Sequence, residues 1–140
     1  MHPAASNSTS PTDFLVVCLC AEWCNTCRDY RAGFTALATQ FSDTAFRWVD
    51  IEDAADAINS VDGLADIDIE NFPTLLIFNQ EKVVFFGPMM PQPGLLDRTF
   101  KALRELKEED LFRYISANET HRQWQQFQPL REVLLKQPPV

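Results

Sequence analysis

Positive charge is scarce in this sequence. Its 140 residues hold 12 Lys and Arg against 20 Asp and Glu, a formal charge of −8. That deficit argues against a nucleic-acid partner, because phosphate recognition needs a basic patch. Histidine is reduced to His2 and His121, both remote in sequence from the cysteines, so a Cys/His zinc knuckle is missing. Long apolar runs are missing too. The strongest, Phe14 to Cys20, is only strand-sized, so no membrane is expected as a partner. The opening "MHPAASNSTSPTD" lacks basic residues followed by an apolar stretch, which is not the pattern of a secretory signal. A reducing cytoplasm is the expected compartment, and clustered cysteines there are more often catalytic or metal-binding than structural. There is no internal repeat, and "DGLADIDIE" lacks the spacing of a calcium loop.

What is present reads as one domain with a substantial core, 46% hydrophobic and with eleven phenylalanines. Residues 1–12, rich in Ser, Pro and Ala, read as a flexible leader. Phe14 to Cys20 reads as a strand covered on both faces. In "CNTCRDYRAGFTALATQFSD", Tyr30, Phe34, Leu37 and Phe41 recur at helical spacing. "AFRWVDI" is a second strand, "EDAADAINSVDG" a short helix stopped near Gly63, and "NFPTLLIF" a third strand entered through proline. "NQEK" turns that strand into "VVFF", a hairpin. After the loop "GPMMPQPG", Leu95 to Leu106 is amphipathic. The order β-α-β-α-β-β-α over residues 13–106 predicts an α/β fold, a central mixed sheet flanked by helices. Residues 107–140 continue as a helical extension, with Pro129 opening its last turn-and-a-half. Trp124, Phe127, Leu130 and Leu134 form one apolar stripe, to be buried on the same domain or on a partner.

All four cysteines fall within ten positions. Cys24 and Cys27 form Cys-x-x-Cys where a strand gives way to a helix. Unpaired N–H groups and the helix dipole favour a thiolate there, the attacking form in disulfide exchange. Cys24 is the expected nucleophile, and Cys27, three positions on, the shielded resolving thiol. The competing reading is a four-thiolate zinc or iron–sulfur site. Against it, Cys18 and Cys20 share one side of an apolar strand with Phe14 and Val16, and read mainly as small buried hydrophobes. Neither a metal nor any other cofactor is expected.

The chain resembles the thioredoxin family. "AEWCNTC", Ala21 to Cys27, matches that family's Trp-Cys-x-x-Cys signature, and "VDIED" falls on the strand after the first helix. "NFPTLLIF" matches the loop that holds the family's cis-proline, here Pro73, followed by Thr74. Gly87 matches the glycine before the final helix. The resemblance covers roughly Phe14 to Leu106. It implies a thioredoxin-like fold and a thiol–disulfide oxidoreductase acting on protein disulfides through Cys24 and Cys27. It also implies client proteins as partners, with a recycling reductase or other thiol donor. By the same resemblance Trp23, Ile51, Phe72, Pro73, Gly87 and Pro88 would line the client groove. The backbone of Phe72 would pair with a client strand.

Four departures stand out. Cys18 occupies the place of the family's buried aspartate, which helps move the proton of the resolving thiol, so slower resolution is expected. Asn25-Thr26 replaces the usual Gly-Pro between the cysteines, which shifts the redox potential. Only a short leader precedes Phe14, leaving no room for most of the usual first strand and helix; the extension is expected to cover some of the surface this exposes. Finally, the segment from Asp50 to Glu70 is long and acidic, with no Lys or Arg between Trp48 and Glu81; it reads as a solvated face or as a rim that attracts basic partners. The missing acid and the added tail both favour an alternative, a redox-responsive binding or chaperone-like module with little turnover. Sequence leaves the oligomeric state open.

Overall fold

Seven successive apolar residues cannot alternate between core and solvent, so Phe14–Cys20 must be covered on both faces, and every residue of this strand, β1, is buried. The structure is a computed structural model that describes residues 13–21, 24–54, 56, 73–89 and 93–139. The expected leader and most of the "EDAADAINSVDG" helix lie outside the described residues.

Helix α1, Asn25–Gln40, follows β1 and leads to strand β2, Ala45–Asp50. Strands β3, Thr74–Asn79, and β4, Lys82–Pro88, form the hairpin. Its two-residue turn places Gln80 at φ 58°, a left-handed conformation that is costly for a residue with a Cβ. The sheet order is β2-β1-β3-β4. β1 pairs in parallel with β2 and antiparallel with β3, which pairs antiparallel with β4. The predicted mixed sheet is therefore what forms. Helix α2 spans Pro93–Arg104, opening two residues before the expected Leu95 because proline's fixed φ suits a first helical turn.

The two faces of β1 fill two cores. On the first, Phe14, Val16, Cys18 and Cys20 meet Tyr30, Phe34 and Leu37 of α1 and Leu96, Phe100 and Leu103 of α2. Phe100 anchors this core with edge-on contacts to Phe14, Phe41 and Phe46 at centroid distances of 5.0–5.9 Å. On the second face, Leu15, Val17 and Leu19 meet Leu76, Phe78, Phe127, Leu130 and Leu134.

The C-terminal segment supplies that second cover by crossing the whole sheet. Helix α3, Glu108–Ile115, packs Leu111 and Ile115 into the first core. The Tyr114 hydroxyl donates to the Val84 carbonyl at 2.9 Å. Helix α4, Glu119–Trp124, is capped by Asn118, whose side chain accepts from the His121 N–H at 2.8 Å. Gln125 then hydrogen-bonds to the β4 backbone. Its Oε1 accepts from Val83 N–H at 3.0 Å, and its Nε2 donates to the Val83 carbonyl at 2.7 Å. Helix α5, Leu130–Leu135, lies over the second face with Leu130 and Leu134 fully buried. At the opposite edge Arg47 Nε of β2 donates to Leu135 O at 3.1 Å, and Pro139 bridges Arg47 in antiparallel fashion. One tail thus contacts both sheet edges, the places where unpaired backbone invites foreign strands.

Candidate active site

The site is built where β1 ends and α1 begins. Cys24 is the N-cap of α1, with φ −87° and ψ 116°. Its N–H donates to Ala21 O at 3.0 Å, and its carbonyl accepts from Arg28 N–H at 3.2 Å. The side chain is half-buried against the first core and its thiol is free. Asn25 and Thr26, in the first turn, are exposed. Cys27 shares the inward face of α1 with Tyr30, Phe34 and Leu37 and is 1% exposed.

Cys27 is bonded to Cys20, with the two Cα atoms 5.9 Å apart. Cys20 is thus more than the buried filler that its strand position suggested, and the bond that spacing assigns to Cys24 and Cys27 is absent here. The reason is geometric. Even-numbered residues of β1 face α1, and the inward position of α1 nearest that strand end is Cys27. The two signals were separately legible, in the parity shared by Phe14, Val16, Cys18 and Cys20 and in the helical spacing of Cys27, Tyr30 and Phe34.

Cys18 lies beneath, fully buried and unbonded. Its Sγ is 3.5 Å from Cys20 Sγ. A disulfide sulfur carries no hydrogen, so Cys18 S–H is the donor. Burial pushes the Cys18 thiol far above the ordinary thiol range. It is therefore a neutral donor at the position where the family keeps a carboxylate. Tyr30 completes the layer. Its hydroxyl is buried with no hydrogen-bond partner among the described residues. Desolvation, with a smaller contribution from Cys18, makes it a weaker acid, pushing its pKa well above the ordinary phenol value.

Pro73 is buried, and its carbonyl accepts from Met89 N–H at 3.1 Å. Leu19 pairs with Thr74 in the register, so Pro73 stands level with Cys20 at the same end of the sheet. Thr74 is buried and pairs with Pro88, while Leu75 pairs with Gly87. Pro88 is exposed and Gly87 half-buried. Ile51 differs from its expected place, since it packs on the second core, across the sheet from Cys24. Trp23 and Phe72 lie outside the described residues.

Sequence reasoning missed a cleft of about 910 Å³ beside the disulfide, lined by Cys27, Arg28, Arg31, Trp48 and Asp50 and closed on one side by Gln137 to Pro139. The Arg31 guanidinium lies 5.2 Å from the Trp48 ring centroid, a cation–π contact that fixes one wall. The tail's share of the cleft had no sequence signal, because it depends on where the chain arrives after crossing the sheet. Among the described residues no group of three or more His, Cys, Asp or Glu is placed to hold a metal ion, and no helix is long and apolar enough to cross a membrane.

Comparison with known proteins follows the same outline. A family model described as Thioredoxin matches residues 6–88, more than half of the chain. Among solved structures, oxidised mitochondrial thioredoxin 3 of Saccharomyces cerevisiae is similar, with a TM-score of 0.51 and 20% identity over 64% of this chain and 78% of its own. Fasciola hepatica thioredoxin gives a TM-score of 0.51 and 23% identity over 69% and 83%. A thioredoxin of Nicotiana alata gives 0.53 and 22% over 67% and 76%. At these identities the likeness is one of fold. No curated protein sequence matches the chain significantly.

Proposed function

The chain belongs to the thioredoxin family, and from that premise we propose that it is a thiol–disulfide oxidoreductase of protein clients, with Cys24 as nucleophile and Cys27 as resolving cysteine. The observation that supports this reading is the placing of a free, half-exposed Cys24 at the N-cap of α1 beside a buried Cys27 one turn on that is itself disulfide-bonded, to Cys20. The Cys24 thiolate attacks a client disulfide and expels one client thiolate, forming a mixed disulfide. Cys27 then attacks Cys24 Sγ and releases the second client thiolate. Pro73, level with Cys20, is the proposed floor of the client site, and a cis bond there would present the Phe72 backbone to a client strand. The cycle closes through a thiol donor or reductase in a reducing, cytoplasmic setting.

Insulin-disulfide reduction tests the reading. Wild type should turn over, Cys24→Ser should lose at least about a hundredfold in rate, and Cys27→Ser should accumulate a mixed disulfide at Cys24. Client binding that survives Cys24→Ser without turnover in the wild type would instead support the binding-module alternative, which the neutral Cys18 at the acid's position favours.

A further inference from the structure

We propose that Cys20 is a third redox cysteine, which takes Cys27 over from Cys24 and so stores the oxidising equivalent in a buried disulfide while Cys24 returns to a free thiolate. The inference rests on the oxidoreductase reading above and extends it by one exchange step.

Cys27 has two possible partners of opposite accessibility. Cys24 precedes it by three positions at a helix start, the spacing at which side chains become neighbours, and is half-exposed. Cys20 precedes it by seven and is already bonded to it. Cys20 and Cys27 are each 1% exposed, so a folded client or a bulky reductant has no direct line to their bond. Cys24 packs against the same cluster of side chains, and its thiol is free and half-exposed where those of Cys20 and Cys27 are bonded and buried. Cys18 is fully buried and lies on the strand side of Cys20.

The added step conserves atoms and electrons. In the Cys24–Cys27 form left after client release, Cys20 as thiolate attacks Cys27 Sγ. The Cys24–Cys27 bond breaks, the Cys20–Cys27 bond forms, and Cys24 leaves as thiolate. One disulfide replaces another with no net oxidation, and the proton given up by Cys20 balances the one Cys24 takes up from solvent. Recycling runs in reverse, with Cys24 attacking Cys27 Sγ and Cys20 leaving. The Cys18 S–H, 3.5 Å from Cys20 Sγ, then faces the charge that develops on the departing sulfur. Cys18 acts here as a positioning residue through that hydrogen bond. The consequence is an oxidised protein that still presents one reactive surface thiol.

The test is a disulfide map in time. Fully reduced, full-length protein is treated with oxidised glutathione, quenched in acid at intervals, alkylated after unfolding and mapped by peptide mass spectrometry. The expected sequence is Cys24–Cys27 first, then Cys20–Cys27 with Cys24 free, and the native end product should take up one iodoacetamide, at Cys24. Cys20→Ala, which adds no polar group to the core, should stop at Cys24–Cys27 and lose that labelling. Cys24→Ser should form Cys20–Cys27 about tenfold or more slowly, because the buried pair has lost its external exchange partner. A wild-type end product of Cys24–Cys27 with Cys20 free would overturn the proposal, as would Cys20–Cys27 forming at the wild-type rate in Cys24→Ser. The map does not require insulin turnover, so the relay and the oxidoreductase reading fail separately.

Discussion

Tyr30 shows what a single buried atom costs. Its ring fills the first core beside Phe34, at a centroid distance of 6.3 Å, while its hydroxyl has left water without gaining a partner among the described residues. An unsatisfied buried polar group costs about 1–3 kcal/mol, so Tyr30→Phe should raise stability by about 1 kcal/mol at neutral pH, read as a higher urea midpoint. The pH dependence has a definite sign. The folded phenol titrates above its ordinary value of about 10, so its contribution is fully present below that pH. It declines above it, where the unfolded chain has fewer bound protons than the folded one. In excess reductant the advantage of Tyr30→Phe should therefore widen above pH 10, and parallel pH profiles for the two proteins would refute the burial argument. Residues of this kind mark the limit of what the sequence shows. Tyr30 was legible as a core position from its spacing, but the missing partner was not, because it depends on Cys18 standing where a carboxylate would have accepted or repelled. The Cys20–Cys27 bond was hidden for a related reason. A strand period and a helix period each point their cysteine inward, and only the turn between them sets which sulfurs meet.

Among elements, strands and helices were legible wherever apolar residues kept a period, as in β1, α1 and the stripe of Trp124, Phe127, Leu130 and Leu134. The path of the tail was not, because polar side chains with no periodic signal fix it. Gln125 is the clearest case. Its amide meets both backbone groups of Val83, and its Nε2 also donates to His121 O at 3.0 Å. It takes the place of a neighbouring strand at the edge of β4. The flanking rings support this seam, with His121 stacked on Trp124 at 4.3 Å and Trp124 lying 5.8 Å from Phe85. His121 Nδ1–H donates to Tyr114 O at 2.7 Å, since a carbonyl can only accept. Gln125→Ala should cost about 1–3 kcal/mol by leaving Val83 under-satisfied, whereas Gln126→Ala, one residue along, should cost under about 0.5 kcal/mol, as surface changes do. Equal urea midpoints for the two variants would show that water replaces the amide and that the edge seal contributes little.

For the whole molecule, charge and tail lead to separate expectations. Asp50 and Asp53 line the cleft, Glu52, Asp53 and Asp56 are exposed, and the acidic residues from Asp62 to Glu70 lie outside the described residues. If that rim steers basic clients, their association rate should fall as salt rises toward physiological strength, where exposed charges are screened within about 8 Å; a flat salt response would make it ordinary surface. The tail bears on whether the fold stands at all. Without residues beyond Lys107, the second face of the sheet would expose Leu15, Val17, Leu19, Leu76 and Phe78, side chains that are now fully buried, as one apolar patch of the kind that drives aggregation. Truncation there should leave a protein that aggregates or melts far lower. A point change keeps the question answerable if the truncated chain is never soluble. Leu134→Ala, at a fully buried position over that face, should cost about 2–5 kcal/mol through lost burial and the cavity left behind. Removing only residues 137–140 makes the complementary case. It keeps Leu130, Leu134 and the bond from Arg47 to Leu135, so the melting temperature should move little, while the wall of the cleft beside Cys27 is lost. Small thiols should then reduce the Cys20–Cys27 bond faster in the short truncation than in the full chain. Equal reduction rates would confine the tail's role to covering the sheet, and unchanged melting in Leu134→Ala would reject even that.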